Sequence, residues 1–235
     1  MITPSFNNFF PPEVFAFVSD HTVDFALPKE GEPFNGFQKH FLLAQLREPA
    51  EKIVTILQVH GRRVLMATPR YLENGKISEA DAAITDVAHL PLAVRTADCL
   101  SIFIFDPKQK AIGLVHAGWK GTKKKIVSNT IAMMKKKFSS QTKNLKVAFG
   151  PSIRSCCYQV GEEFKKYFPK EVSEKALGLY FDLPLANRNQ LLALGVERKN
   201  ILDMKFCTCC DQRFFSYRRE GERTGRMISL IMLKG

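Results

Sequence analysis

The chain has 235 residues, of which 45% are hydrophobic, and its formal net charge is +12 at pH 7. A chain of this length can bury one full hydrophobic core, so we predict a single domain over residues 1–235. The first twenty residues have no basic leader, and no segment is apolar for long enough to span a bilayer. These features argue against the secreted and membrane-embedded classes, and we expect a soluble, cytoplasmic protein without a membrane partner.

Short apolar runs bounded by turn residues predict strands, and apolar residues at helical spacing predict helices. The predicted strands cover residues 13–18, 53–59, 64–68, 82–85, 92–95, 101–105, 112–115, 146–149, 201–206 and 227–232. The predicted helices cover residues 122–138, 162–168 and 185–194, and Gly195 follows the last one as a stop signal. Because strands outnumber helices and do not alternate with them regularly, the pattern predicts an α+β fold with mixed sheets and outer helices.

The positive charge is concentrated in two lysine runs, residues 123–125 and 135–137, at the two ends of a predicted helix. The apolar residues between them recur at helical spacing, which places the lysines on the solvent side. A solvated helix face and a general attraction for anionic ligands such as phosphate are both consistent with this pattern. No zinc-finger spacing or RNP-like motif is present, so we expect no specific nucleic-acid partner.

The chain contains six cysteines, namely Cys99, Cys156, Cys157, Cys207, Cys209 and Cys210. Adjacent cysteines do not bridge readily with each other, so we expect reduced thiols rather than a disulfide framework. The cysteines of the last two clusters could form a metal site between the segments GPSIRSCCY and FCTCC. No histidine lies near them in sequence, and packing between these two segments is therefore the preferred interpretation.

Three polar motifs stand where apolar strands end or begin. In AIGLVHAGWKGT, His116 ends a strand and precedes a glycine-rich turn; in QVHG, His60 is followed by Gly61; in TADC, Cys99 opens an apolar strand. Each residue alone is typical of a structural role. Together, two imidazoles and one thiolate form a known catalytic zinc set with the fourth position open to water or substrate. The long spacing does not itself enforce convergence.

The motifs QVHG, ADAAIT, RTADCL, VHAGWKGT, GPSIRSCCYQVG and FCTCCDQRFFSYRREGERTGRM together resemble the YfiH-like family, whose members are also called laccase-domain or polyphenol oxidase proteins. They follow the family order from Gln58 to the C-terminus. The resemblance implies a layered α/β/β/α fold and a zinc-dependent enzyme. Its implied reactions are phosphorolysis of purine nucleosides (inosine, adenosine, methylthioadenosine) to free base and ribose 1-phosphate, and deamination of adenosine.

The resemblance also assigns residues. The metal ligands fall on His60, Cys99 and His116, with zinc as the expected ion and copper as an alternative. Asp81 and Asp98 match family positions that could orient a ligand imidazole or transfer a proton. Lys120, Arg218 and Arg226 are the candidates for binding phosphate. The chain departs from the family pattern over residues 19–36, at Lys120, where arginine is usual, and at Asp211, where asparagine is common.

Three alternatives remain beside this hypothesis. A metal-free hydrolase could use Cys99 as nucleophile with His60 or His116 as base. A copper-dependent phenol oxidase is less compatible, because multicopper sites need about ten histidines and His-x-His pairs, and this chain has 5 histidines and no such pair. The third alternative is a partner-binding protein without enzymatic activity, which the departure of residues 19–36 from the family pattern suggests.

Overall fold

A computed structural model describes residues 6, 8–27, 33–73 and 77–235. Its strands are β1 (Val14–Val18), β2 (Val64–Met66), β3 (Ala82–Thr85), β4 (Leu92–Thr96), β5 (Leu100–Asp106), β6 (Ala111–Ala117), β7 (Lys146–Phe149), β8 (Gln159–Val160), β9 (Val172–Lys175), β10 (Gly178–Phe181), β11 (Ile201–Asp203) and β12 (Met227–Leu233). Its α-helices are α1 (Gly36–Leu46), α2 (Pro69–Glu73), α3 (Trp119–Lys123), α4 (Ile126–Phe138), α5 (Glu163–Tyr167), α6 (Leu183–Ala193) and α7 (Tyr217–Glu220).

The central layer is a six-stranded sheet in the order β11-β7-β5-β6-β3-β2. The two outer pairs, β11 with β7 and β2 with β3, are parallel, and the inner pairs are antiparallel. Alternation along β5 sends Ile102 and Ile104 into a core shared with α4 and α6, and sends Phe103 and Phe105 to the opposite face. Both faces of this sheet are therefore buried.

A second sheet, in the antiparallel order β1-β12-β4, covers the other face of the central sheet. Val94 and Ile231 pack towards Phe103, whereas the neighbouring residues Ala93 and Leu230 turn away, into a core with α1. The layers are thus helix, six-stranded sheet, three-stranded sheet and helix. This arrangement confirms the mixed-sheet α+β class and the α/β/β/α layering expected from the family resemblance.

The predicted strand over residues 53–59 is wrong as a continuous strand. The segment forms only two isolated bridges, Val54 to Leu92 and Leu57 to Glu79. It changes partner between these two points, because its N-terminal part lies beside β4 and its C-terminal part lies beside residues 78–80. Side chains complete its hydrogen bonds, including the Tyr71 hydroxyl, which donates to the Thr55 carbonyl over 3.0 Å.

The predicted helix over residues 122–138 is divided into α3 and α4, because Lys125 adopts a left-handed backbone with φ 60°. Helix α6 begins two residues before the prediction, since the Asp182 side chain accepts a hydrogen bond from the Leu185 amide and caps the first turn. Helix α1 was not predicted. Its signal is a capping box in which Asn35 and Gln38 exchange backbone and side-chain hydrogen bonds.

A small antiparallel sheet, β8-β10-β9, lies outside the four layers. The sequence analysis predicted none of its three strands. Over the described residues, no helix combines the length and the apolar character needed to cross a membrane. Residues 28–32 of the divergent segment 19–36 lie outside the described residues.

Candidate metal centre

The structure brings His60, Cys99 and His116 together at one end of the central sheet. Strands β5 and β6 are antiparallel neighbours, so the start of β5, next to Cys99, lies beside the end of β6, where His116 pairs with Ser101. His60 comes from the loop before β2. One nitrogen of each histidine and the cysteine sulfur all lie within 4.8 Å of one another, with His60 Nε2 4.0 Å from Cys99 Sγ.

Asp81 holds both histidines in this arrangement. Its fully buried carboxylate accepts hydrogen bonds from the backbone amides of His60 over 2.9 Å and Gly61 over 2.6 Å. The same carboxylate lies 2.9 Å from His116 Nδ1. A proton on Nδ1 completes that bond, and Nε2 of His116 can bind a metal once it has lost its own proton. Asp81 therefore orients the His116 imidazole, and its role beside a bound metal stays a prediction.

The charges of the centre stabilise each other. Burial opposes ionisation of the Cys99 thiol, but His116 and His60 next to it lower its pKa to about 6. Burial likewise opposes protonation of His116, yet the Cys99 thiolate and Asp81 raise its pKa to about 9. Burial also disfavours the charged form of Asp81, but hydrogen bonds from His116 and Gly61 keep its pKa below the ordinary value. The thiolate, which is the form of cysteine that binds metals, is thus favoured near neutral pH.

Glycine at position 118 is required by the close approach of the chain to the donor atoms. A Cβ atom at this position would lie 2.8 Å from Cys99 Sγ and 3.1 Å from His60 Cδ2. Gly118 also precedes the first residue of α3. The glycine-rich turn in the motif HAGW therefore serves the spacing of the centre as well as the start of the helix.

Asp98 is placed differently from Asp81. Its carboxylate accepts a hydrogen bond from the Thr208 hydroxyl over 2.6 Å and another from the Arg218 backbone amide over 2.7 Å. Its backbone carbonyl accepts from the Ile153 amide over 2.9 Å, and its φ is 80°. Asp98 thus anchors two loops and the first turn of α7 next to Cys99, and its carboxylate is engaged by these groups rather than by a ligand imidazole.

The centre opens into a cavity of about 820 Å³. Lys120, Arg218 and Arg226, predicted to bind phosphate, all line this cavity. Arg218 extends over the Tyr158 ring, with its guanidinium carbon 5.5 Å from the ring centroid, and it donates to the Gln159 carbonyl over 3.0 Å. The Arg226 guanidinium donates to the carbonyls of Thr224 and Gly225. Three cations, from two segments far apart in the chain, therefore line one cavity.

Arg95 is a further cation of the cavity wall that the sequence interpretation did not identify. Its side chain is buried, and it donates to the Phe25 carbonyl over 2.7 Å and the Pro33 carbonyl over 2.6 Å. Burial lowers the pKa of its guanidinium to about 10. The sequence signal was an arginine within the otherwise apolar strand LAVRT. Arg95 joins the divergent N-terminal segment to the cavity, because both of its acceptors belong to that segment.

The family model described as multi-copper polyphenol oxidoreductase laccase matches residues 38–234. The chain belongs to this family. Its fold also superposes on the crystal structure of YfiH from Bacillus licheniformis with a TM-score of 0.83 at 25% identity, in agreement with the YfiH-like family recognised from the motifs.

Individual relatives are similar over most of their length. A purine nucleoside phosphorylase of Clostridium acetobutylicum is 36% identical over 183 residues, which cover 75% of each chain. A protein named adenosine deaminase, from an unknown prokaryotic organism, is 31% identical over 82% of this chain and 77% of its own. The crystal structure of YlmD from Geobacillus stearothermophilus superposes with a TM-score of 0.86 at 28% identity, covering 95% of this chain and 93% of that one.

Proposed function

We propose that this protein is a zinc-dependent purine nucleoside phosphorylase that also deaminates adenosine. The observation that carries the proposal is the convergence of His60, Cys99 and His116 beside a cavity with several cationic side chains. The names of the relatives, which include both activities, support the choice of substrate.

The donor set fits zinc. Two imidazole nitrogens and one thiolate sulfur form a three-ligand catalytic set that leaves one position open, and Asp81 supplies the partner that such a histidine needs. Imidazole and thiolate ligands also suit copper, so metal analysis of the purified protein decides between zinc and copper. When bound here, the ion supplies Lewis acidity for the hydrolytic removal of the adenosine amino group.

For phosphorolysis, Lys120, Arg218 and Arg226 would hold phosphate in the cavity. A phosphate oxygen forms the new bond to ribose C1′ while the bond from C1′ to the purine nitrogen breaks, and its electron pair leaves with the purine. Positive groups at the cavity wall offset the charge on both the attacking phosphate and the departing base. The exposed ring of Tyr217, which also lines the cavity, provides an apolar surface on which a purine can stack.

The test is a product assay on metal-analysed protein with inosine or adenosine, with and without phosphate. We expect hypoxanthine and ribose 1-phosphate from inosine only when phosphate is present, and inosine and ammonia from adenosine without it. Cys99→Ala should lose the metal held by His60, Cys99 and His116, and both activities with it. Absence of hypoxanthine from inosine plus phosphate, with stoichiometric zinc in the protein, would falsify the phosphorylase assignment.

Lys120→Gln separates the two reactions. This change should raise the KM for phosphate about tenfold, which is the loss typical of one charge-assisted contact. Adenosine deamination should be unchanged, because that reaction uses no phosphate. Lys136→Gln is the matched control, since Lys136 is an exposed lysine of α4 and is not among the residues that line the cavity. An equal loss of both reactions in Lys120→Gln would contradict the assignment of Lys120 to phosphate.

A metal-free cysteine hydrolase is the second candidate, and the low pKa of Cys99 beside two histidines favours it. In this mechanism Cys99 is the nucleophile and a histidine is its base. Rapid alkylation of Cys99 at a rate that chelators do not change, in protein purified without stoichiometric metal, would support the hydrolase. Protection of Cys99 by the bound metal would support the metal centre.

A further inference from the structure

A second group of thiols lies apart from the His60–Cys99–His116 centre. The sulfur atoms of Cys156, Cys157, Cys207 and Cys210 all lie within 4.8 Å of one another. Cys210 Sγ is 3.2 Å from Cys157 Sγ and 3.5 Å from Cys156 Sγ. In a tetrahedral zinc site with Zn–S bonds of about 2.3 Å, the sulfurs are about 3.8 Å apart. The four thiols therefore have the number and the spacing of a closed structural zinc site.

The two segments that carry these cysteines form turns that direct the sulfurs towards each other. The Cys157 amide donates to the Arg154 carbonyl, and the Asp211 amide donates to the Cys207 carbonyl, each over 2.9 Å. Cys207 and Cys210 also have the two-residue separation that is common in zinc-binding loops.

Two cationic side chains bind the segments that carry the thiols. Arg219 Nη1 donates to the carbonyls of Thr208 over 2.8 Å and Cys209 over 3.1 Å. The Lys175 ammonium donates to the Ser155 carbonyl, next to Cys156. Four thiolates around one divalent ion carry a net charge of about −2, and neighbouring cations offset such a charge. Cys156 and Cys210 are exposed, so an ion can reach the group from solvent.

We propose that Cys156, Cys157, Cys207 and Cys210 bind a structural zinc ion that is distinct from the catalytic metal. Binding displaces the thiol protons to solvent and leaves the ion with four sulfur ligands and no open position. The two cysteine segments also pack against each other, as the sequence predicted, and they meet at the bridge from Ser152 to Cys207. The zinc would add a link between them.

This link would stabilise the wall of the cavity. The first segment contributes the Ile153 amide to the Asp98 carbonyl, and the second contributes the Thr208 hydroxyl to the Asp98 carboxylate. Asp98 immediately precedes Cys99 in the chain. The second ion would therefore have a structural role, because it would hold in register the two loops that position the residue beside Cys99.

The first test is metal analysis of the full chain purified under reducing conditions without added metal. Cys99→Ala should keep about one equivalent of zinc, and cobalt substituted into this variant should show the absorption of a four-thiolate site. Cys99→Ala combined with Cys210→Ser should lose that ion and unfold at a lower temperature. Cys209→Ser is the matched control, because its sulfur is not in the group of four, and it should retain the ion.

The second test uses the wild-type protein and does not depend on how a variant folds. Despite the exposure of Cys156 and Cys210, we expect all four thiols to resist iodoacetamide until a chelator is added, as judged by peptide mass spectrometry. The proposal is overturned if these thiols are alkylated at the same rate with and without chelator. It is also overturned if the fully folded Cys99→Ala variant contains no metal, or if a disulfide links Cys210 to a neighbour in the reduced preparation. None of these results depends on nucleoside turnover.

Discussion

Asp81 is the residue that links His60 and His116 of the candidate metal centre. Its carboxylate fixes the His60 loop through two backbone amides and orients the His116 ring through Nδ1. A ligand histidine without such a partner loses its preferred tautomer and part of its basicity. The two histidines, one exposed and one buried, are thereby held by a single side chain.

Asp81→Asn should reduce zinc affinity and nucleoside turnover by about 10–100-fold, because the amide cannot accept all the hydrogen bonds that the carboxylate accepts. Competition with a chromophoric chelator measures the affinity. Asp86→Asn, an exposed change just after β3, is the control and should leave both quantities unchanged. Equal affinity in Asp81→Asn and the wild type would contradict the role assigned to this carboxylate.

Gly118→Ala tests the space around the donor atoms. The added methyl group would lie 2.8 Å from Cys99 Sγ, so the sulfur or the backbone must move. We expect metal occupancy to fall and turnover to decrease at least tenfold, since displacements near 1 Å at a reacting centre have effects of about a hundredfold. Gly36→Ala is the control, because a Cβ there meets nothing within 4 Å. Normal occupancy in Gly118→Ala would show that the centre tolerates this displacement.

At the scale of elements, the break between α3 and α4 shows how a local conformation shapes the site. Lys125 has φ 60° and ψ 43°, a conformation that costs a residue with a side chain about 1–2 kcal/mol. The break lets α3 follow the metal-centre turn while α4 lies along the sheet. It also brings the Lys124 ammonium within 3.1 Å of the His60 carbonyl.

Lys125→Gly should therefore stabilise the fold by about 0.5–1 kcal/mol, because glycine adopts this conformation without a steric penalty. Ala132→Gly, at an exposed position within α4, should have the opposite sign and destabilise by about 1 kcal/mol. Denaturant titration of both variants gives the two free energies of unfolding. A loss of stability in Lys125→Gly would indicate that the lysine side chain itself stabilises the break.

At the scale of the whole molecule, Asp203 joins three parts of the chain. At the end of β11, its carboxylate accepts hydrogen bonds from Arg154 over 2.9 Å and from Arg188 of α6 over 2.7 Å. Burial disfavours the charged carboxylate, but Arg154, Arg188 and the Lys205 amide together hold its pKa below the ordinary value of 3.8. The edge of the central sheet is thereby tied to the helix layer and to the loop that carries Cys156.

Because the pKa of Asp203 is lower in the folded protein than in the unfolded chain, its stabilising contribution is complete above about pH 4 and is lost as the pH falls through the folded value. Asp203→Asn should lower the free energy of unfolding by about 2–3 kcal/mol at pH 7. The difference from the wild type should shrink below pH 4. Glu197→Gln, which removes an exposed ion pair with Lys199, should show no measurable change. A difference for Asp203→Asn that is independent of pH would contradict an electrostatic origin.

The motifs around His60, Cys99 and His116, read with the family resemblance, predicted that these three residues lie together, and the structure brings them together. Their role as metal donors stays a prediction. The central strands and the position of α4 were predicted from local patterns, since residues such as Ile102 and Phe103 alternate over a short stretch of chain. The partner change of residues 53–59 was missed, because a local apolar pattern does not show which neighbour a segment pairs with.

Only the tertiary structure decided which residues far apart in the chain contact each other. Asp98 had been grouped with Asp81, yet it binds Thr208 and Arg218, more than a hundred residues away. The burial of Arg95 against residues 25 and 33, and the meeting of two cysteine segments, are likewise long-range contacts. By itself, the sequence determined the class of fold and singled out His60, Cys99 and His116 as candidate donors, since both follow from short patterns. Their convergence depends on sheet packing, which no short segment encodes.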